Sequence, residues 1–86
     1  MKLQIDLLKR KANLISPKPV RIKLIWLKDN IQQEKLLEGG TEKKKTKNTF
    51  YERMFKIDTR MKGKLTLKIF LIKYFPIFMS FITLEI

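Results

Sequence analysis

The chain has 86 residues, with 20 Lys or Arg against eight Asp or Glu and neither cysteine nor histidine. That length leaves room for one small domain; without cysteine there is no disulfide staple and no thiolate metal site, and without histidine there is no Ser-His-Asp or Cys-His catalysis within the chain and no use of the commonest metal ligand. The net charge of +12 favours an anionic partner, either an acidic membrane surface or nucleic acid.

From Met1 to Ile15 the apolar residues Leu3, Leu7 and Leu14 share one helical face, with Leu8, Ala12 and Ile15 beside them. Leu3-Gln4-Ile5-Asp6-Leu7 also alternates as a strand does. Lys9-Arg10-Lys11 interrupts the apolar stretch too early for a secretory signal, whose apolar region runs to about 7–15 residues. Ser16-Pro17-Lys18-Pro19 breaks whatever precedes it, because each proline lacks an amide donor and pushes its predecessor towards extended backbone. Val20 to Lys28, VRIKLIWLK, alternates and is predicted as a strand. Asp29-Asn30 reads as a turn or helix cap, and with Gln33 three residues on it predicts a short helix over Ile31–Glu38 ended by Gly39.

Residues 40–48 are polar and basic and read as a linker. Thr49-x-x-Glu52 has the spacing of a capping box. Phe50, Met54, Ile57 and Met61 follow at helical spacing, which predicts a helix over 50–62 stopped near Gly63. No internal repeat is visible.

Residues 65–86 differ sharply from what precedes them. They hold 15 apolar residues and only three charges, Lys68, Lys73 and Glu85, whereas residues 1–64 carry 18 basic and seven acidic residues, a net of +11. The domain reading is therefore a small basic region, 1–64, and an apolar tail, 65–86. Leu67–Ile86 has the roughly 20 residues that a membrane span needs. Its twelve Leu, Ile and Phe offer at most about −4 to −7 kcal/mol of insertion energy, against about +2.5 to +3.5 for Lys73 if it lies deep. Pro76 would kink such a helix. The anchor would be built on Ile69, Phe70, Leu71, Ile72 and Phe75, continued by Ile77, Phe78, Phe81, Ile82 and Leu84. Lysines crowd its N-terminal flank, so the basic part would face the cytoplasm.

A competing pattern lies in the same tail. Leu65, Leu67, Ile69 and Leu71 alternate with Thr66, Lys68 and Phe70, and Ile82, Leu84 and Ile86 alternate with Thr83 and Glu85. The fold expected is thus mainly α with a short strand at 20–28 and an apolar, transmembrane helix over about 66–85; the alternative is a small α+β fold with 65–73 and 77–86 as strands.

The function expected is that of a small, basic, non-enzymatic membrane-associated protein. The acids are scattered, Gly39-Gly40 lacks the spacing and the Lys-Ser/Thr of a phosphate loop, and no cofactor or metal is expected. Lys43, Lys44, Lys45, Lys47, Arg60, Lys62 and Lys64 are the candidate contacts to lipid headgroups or phosphates. The alternative is non-specific nucleic-acid binding through the same residues. The basic residues are 16 Lys to four Arg, and lysine is a point charge rather than a planar fork that reads base edges. A third reading is a translated frame without a selected role, because A/T-rich codons by themselves yield abundant Lys, Ile, Phe and Asn.

Overall fold

A computed structural model of the protein describes residues 1–71 and 78–86. Its elements are eight strands, β1 (Lys2–Asp6), β2 (Lys11–Ser16), β3 (Val20–Lys28), β4 (Ile31–Leu37), β5 (Thr41–Lys45), β6 (Asn48–Lys56), β7 (Lys64–Leu71) and β8 (Phe78–Glu85). They form two antiparallel four-stranded sheets, in the orders β1-β2-β6-β5 and β4-β3-β7-β8. Successive hairpins alternate between the sheets. Replacing each strand by the one four places later returns the same two orders read backwards, so the described residues form two four-stranded halves interlocked through the central pairs β2·β6 and β3·β7.

The core lies between the sheets. Ala12, Leu14 and Phe55 of one sheet join Val20, Ile22, Leu24, Trp26, Leu37, Leu65, Leu67 and Ile69 of the other in a single apolar cluster. Residues directly opposed in an antiparallel pair share a face. Ile22 thus sits beside Ile69, Leu24 beside Leu67 and Trp26 beside Leu65, all on the inner face. The intervening Arg21, Lys23 and Ile25 point outwards and are only half-buried. The molecule's least extent of 16 Å fits two backbone layers stacked about 10 Å apart. Ile57 and Met61, in the β6–β7 connection, close one end of the core; each is at most 2% exposed. The Ile57 N–H donates to the Arg10 carbonyl at 2.8 Å.

Local chemistry sets the turns. Asp29 and Asn30 both take left-handed backbone, φ 53° and 64°, between the paired residues Lys28 and Ile31. This is the two-residue hairpin turn that Asp and Asn tolerate best after glycine. The Pro17-Lys18-Pro19 segment carries the chain from one sheet to the other, and the Ser16 hydroxyl accepts the Lys18 N–H at 3.3 Å. Gly63 has φ +79°, which a side chain would strain. It exchanges two hydrogen bonds with Ile86, at 3.1 and 2.7 Å, and so secures the end of the chain.

The strand expected at 20–28 forms over those residues. The mainly α fold does not, nor does the α+β alternative, because the described residues contain no helix. The 31–38 helix is replaced by β4, which the Asp29-Asn30 turn folds back onto β3. The 50–62 helix is replaced by β6 and its connection, with Met54 exposed and Phe55 and Ile57 buried. The N-terminal helix is replaced by the β1–β2 hairpin, whose turn leaves Leu8 fully in solvent.

The transmembrane helix is also overturned. Among the described residues no helix is long and apolar enough to cross a membrane; a single-pass anchor, and the cytoplasmic orientation drawn from it, have no element to rest on. Ile69, Phe70 and Leu71 lie in β7 on the middle of a sheet, and Phe78, Phe81, Ile82 and Leu84 lie in β8 at its edge. Ile72, Phe75 and Ile77, like Lys73 and Pro76, fall outside the described residues. The physical reason is the period-two pattern. It buries Leu65, Leu67 and Ile69 to 1% exposure or less while leaving Lys68 in solvent, and it covers one whole flank of β3.

Candidate nucleic-acid interface

β2 ends at Ser16, which pairs with Tyr51. β6 begins three residues earlier, and among the described residues Asn48, Thr49 and Phe50 pair only with β5, opposite Lys45, Lys44 and Lys43. β5 and the start of β6 therefore continue past the end of the sheet as a two-stranded ribbon. Every residue of β5 is exposed. Three consecutive lysines on a sheet edge also guard it against pairing with another chain. Gly40 admits the strand at this position, since a Cβ there would stand 3.1 Å from the Glu52 carbonyl oxygen. At the tip Thr46 has φ 60°, and its hydroxyl donates to the Lys45 carbonyl at 2.6 Å.

The two faces of the ribbon differ. Lys43 and Phe50 are directly opposed on one face, as are Lys45 and Asn48; Lys44 and Thr49 share the other face, with Glu42 and Tyr51 behind them. The first face continues the outer surface of its sheet, where Ile15 stands opposite Glu52. A shallow depression there is lined by Ile15, Lys45, Thr46, Asn48 and Phe50.

Glu52 marks the inner limit of this basic surface. One carboxylate oxygen accepts a hydrogen bond from the Asn13 amide at 3.0 Å, and the other lies 3.0 Å from the Lys43 ammonium. These two contacts, Asn13 first, hold its pKa below the usual carboxylate value. Lys43 is thus shared with an acid. Lys44, Lys45 and Lys47 have no carboxylate within ion-pair distance among the described residues. Three uncompensated charges within four sequence positions, on a projecting turn, make the ribbon tip strongly attractive to anions.

The other expected contacts lie elsewhere. Arg60 and Lys62 occupy the β6–β7 connection and Lys64 begins β7, at the opposite end of the sandwich from the ribbon. Arg60 is already engaged, its guanidinium donating to one Asp58 carboxylate oxygen from Nη2 at 2.8 Å and from Nε at 3.1 Å. The Arg60 side-chain and backbone hydrogen bonds lower the Asp58 pKa to about 2. The sequence-expected set therefore divides into a contiguous group, Lys43, Lys44, Lys45 and Lys47, and a remote group whose arginine is neutralised.

Sequence reasoning missed Phe50 and Asn48 as neighbours of the lysines. The signal was present as the alternations Lys43-x-Lys45 and Asn48-x-Phe50 about a two-residue gap. It is also missed that Lys23 and Lys68 stand directly opposed on the outer face of the second sheet. Glu34 lies 3.1 Å from the Lys23 ammonium, and that contact lowers the Glu34 pKa. Among the described residues no group of three or more acidic side chains converges on a metal-sized site. Comparison with protein-family models, with curated proteins and with solved structures finds no match.

Proposed function

We propose that this is a non-enzymatic nucleic-acid-binding protein that grips the phosphate backbone with the lysine tip of the β5–β6 ribbon. The observation that carries the reading is the uncompensated trio Lys44, Lys45 and Lys47 on a ribbon that projects beyond its sheet. A two-stranded ribbon is narrow enough to approach a polynucleotide along a groove or around a single strand. Lysines that contact phosphate bind by releasing counterions, with little regard to sequence. The remote Lys62 and Lys64 add to the long-range attraction rather than to the grip.

The triple substitution K44Q/K45Q/K47Q tests this. It removes three charges from an exposed turn and disturbs no buried contact. Affinity for a short labelled oligonucleotide falls in the variant at low salt while the thermal unfolding transition stays in place. Equal binding by the two proteins contradicts the reading. Binding to vesicles of anionic lipid in the absence of any binding to oligonucleotide also contradicts it, and would assign the lysines to a membrane surface.

A further inference from the structure

We propose that the ribbon selects unpaired nucleic acid, with Phe50 as the platform on which a base stacks; this rests on the phosphate-gripping reading above. Phe50 is only half-buried, on a strand end that among the described residues pairs with β5 alone. Its ring stands opposite Lys43, and it shares a depression with Ile15, Lys45, Thr46 and Asn48. That depression has an apolar part, Phe50 and Ile15, and a polar rim. Lys45 stands on the same face two residues nearer the tip than Lys43, about 7 Å along the strand, so a phosphate can be held on the tip side of the ring.

A duplex has no use for this arrangement. Its bases are stacked on one another and offer only their edges in the grooves. An unpaired base presents its π-face, which an aromatic ring accepts from any base. The Asn48 amide on the rim carries both a donor and an acceptor for a base edge. Glu52, beyond Phe50, repels phosphate and limits the strand to the tip side of the ring. The opposite face of the ribbon carries Glu42 beside Lys44 and is the less favourable path for a polyanion.

The test uses the full chain, a short labelled oligothymidylate and a duplex of equal length, with the variants F50L and F50W. F50L keeps an apolar side chain but removes the ring face. Stacking is worth about 1–3 kcal/mol per base, so F50L loses roughly 5- to 150-fold in affinity for the single strand. Its duplex affinity and the salt dependence of both are unchanged. F50W retains single-strand binding, and its indole emission is quenched as the base stacks. Thermal unfolding confirms that both variants fold.

An F50L protein that binds the single strand as the wild type does overturns the inference while leaving the phosphate reading intact. A wild-type protein that prefers the duplex has the same consequence. A wild-type protein that binds neither nucleic acid, or a K44Q/K45Q/K47Q variant that binds both undiminished, overturns the phosphate reading and this inference with it.

Discussion

Deleting everything after Gly63 unfolds the protein. The deletion removes β7 and β8, and with them Leu65, Leu67 and Ile69, which are at most 1% exposed. Burying side chains of this size contributes about 1.5–3 kcal/mol each, so these three alone supply roughly 5–9 kcal/mol. The same cut exposes the flank of β3 that carries Ile22, Leu24 and Trp26, whose partners they are. A domain of 86 residues has a total stability of about 4–13 kcal/mol, so the loss is comparable to the whole. Far-UV circular dichroism with urea titration is the assay: the full chain shows a β-sheet spectrum and a cooperative transition, and the truncated chain shows neither. A truncated chain that unfolds cooperatively at the same midpoint would refute the placement of the tail in the core.

Two further outcomes follow from particular contacts. Thr46 is a β-branched residue with φ 60°, a conformation that costs an L-residue about 1–2 kcal/mol and glycine almost nothing. T46G therefore raises Tm, by about 4–8 °C for each kcal/mol recovered; a lower Tm would show that the turn is not strained. Asp58 has its folded-state pKa lowered to about 2 from 3.8. Its contribution is complete above its unfolded pKa and is lost as pH falls through the interval from about 4 to 2. D58N lowers Tm at neutral pH, and the gap from wild type closes across that interval; a gap that persists at pH 2 would contradict the Arg60 pairing.

How much of this was legible in the sequence depends on range and period. The strand at Val20–Lys28 was readable because its alternation is long and begins after a proline break. The helix over 50–62 was misread because Phe50, Met54, Ile57 and Met61 are spaced by three and four. A spacing of four suits one face of a helix and also one face of a strand, so it does not discriminate. Phe50 and Met54 in fact share the outer face, and Phe55 and Ile57 the inner. The Thr49-x-x-Glu52 box has no reciprocal cap in a strand, where residues three apart face opposite sides; Glu52 finds Asn13 and Lys43 instead.

The tail illustrates the same ambiguity on a larger scale. Its length matched a membrane span, yet its first seven residues carried a period-two pattern, and the partner that decides between them is β3, some forty residues earlier. The β5 edge strand was invisible for the opposite reason. Its Thr-Glu-Lys-Lys-Lys composition looks like a linker, but an edge strand needs charge on it rather than apolar residues. The sequence names Lys43, Lys44, Lys45 and Lys47 as candidate contacts, and the fold brings these four to one hairpin. The two-residue turn that folds Phe50 back beside them is hinted at only by the alternation on either side of it, and the sequence gives no sign that Asp58 withdraws Arg60 from the set.

Phosphate binding at the ribbon tip is read from the salt dependence of binding to a short single-stranded oligonucleotide. Each phosphate neutralised contributes about 0.7 to the slope of log affinity against log salt. Lys44, Lys45 and Lys47 together set a slope of about −2, a loss of roughly twentyfold between about 50 and 200 mM salt. The wild-type protein shows at least that slope, and K44Q/K45Q/K47Q is flatter by about 2. Equal slopes for the two proteins, or wild-type binding that does not weaken with salt, would contradict the account.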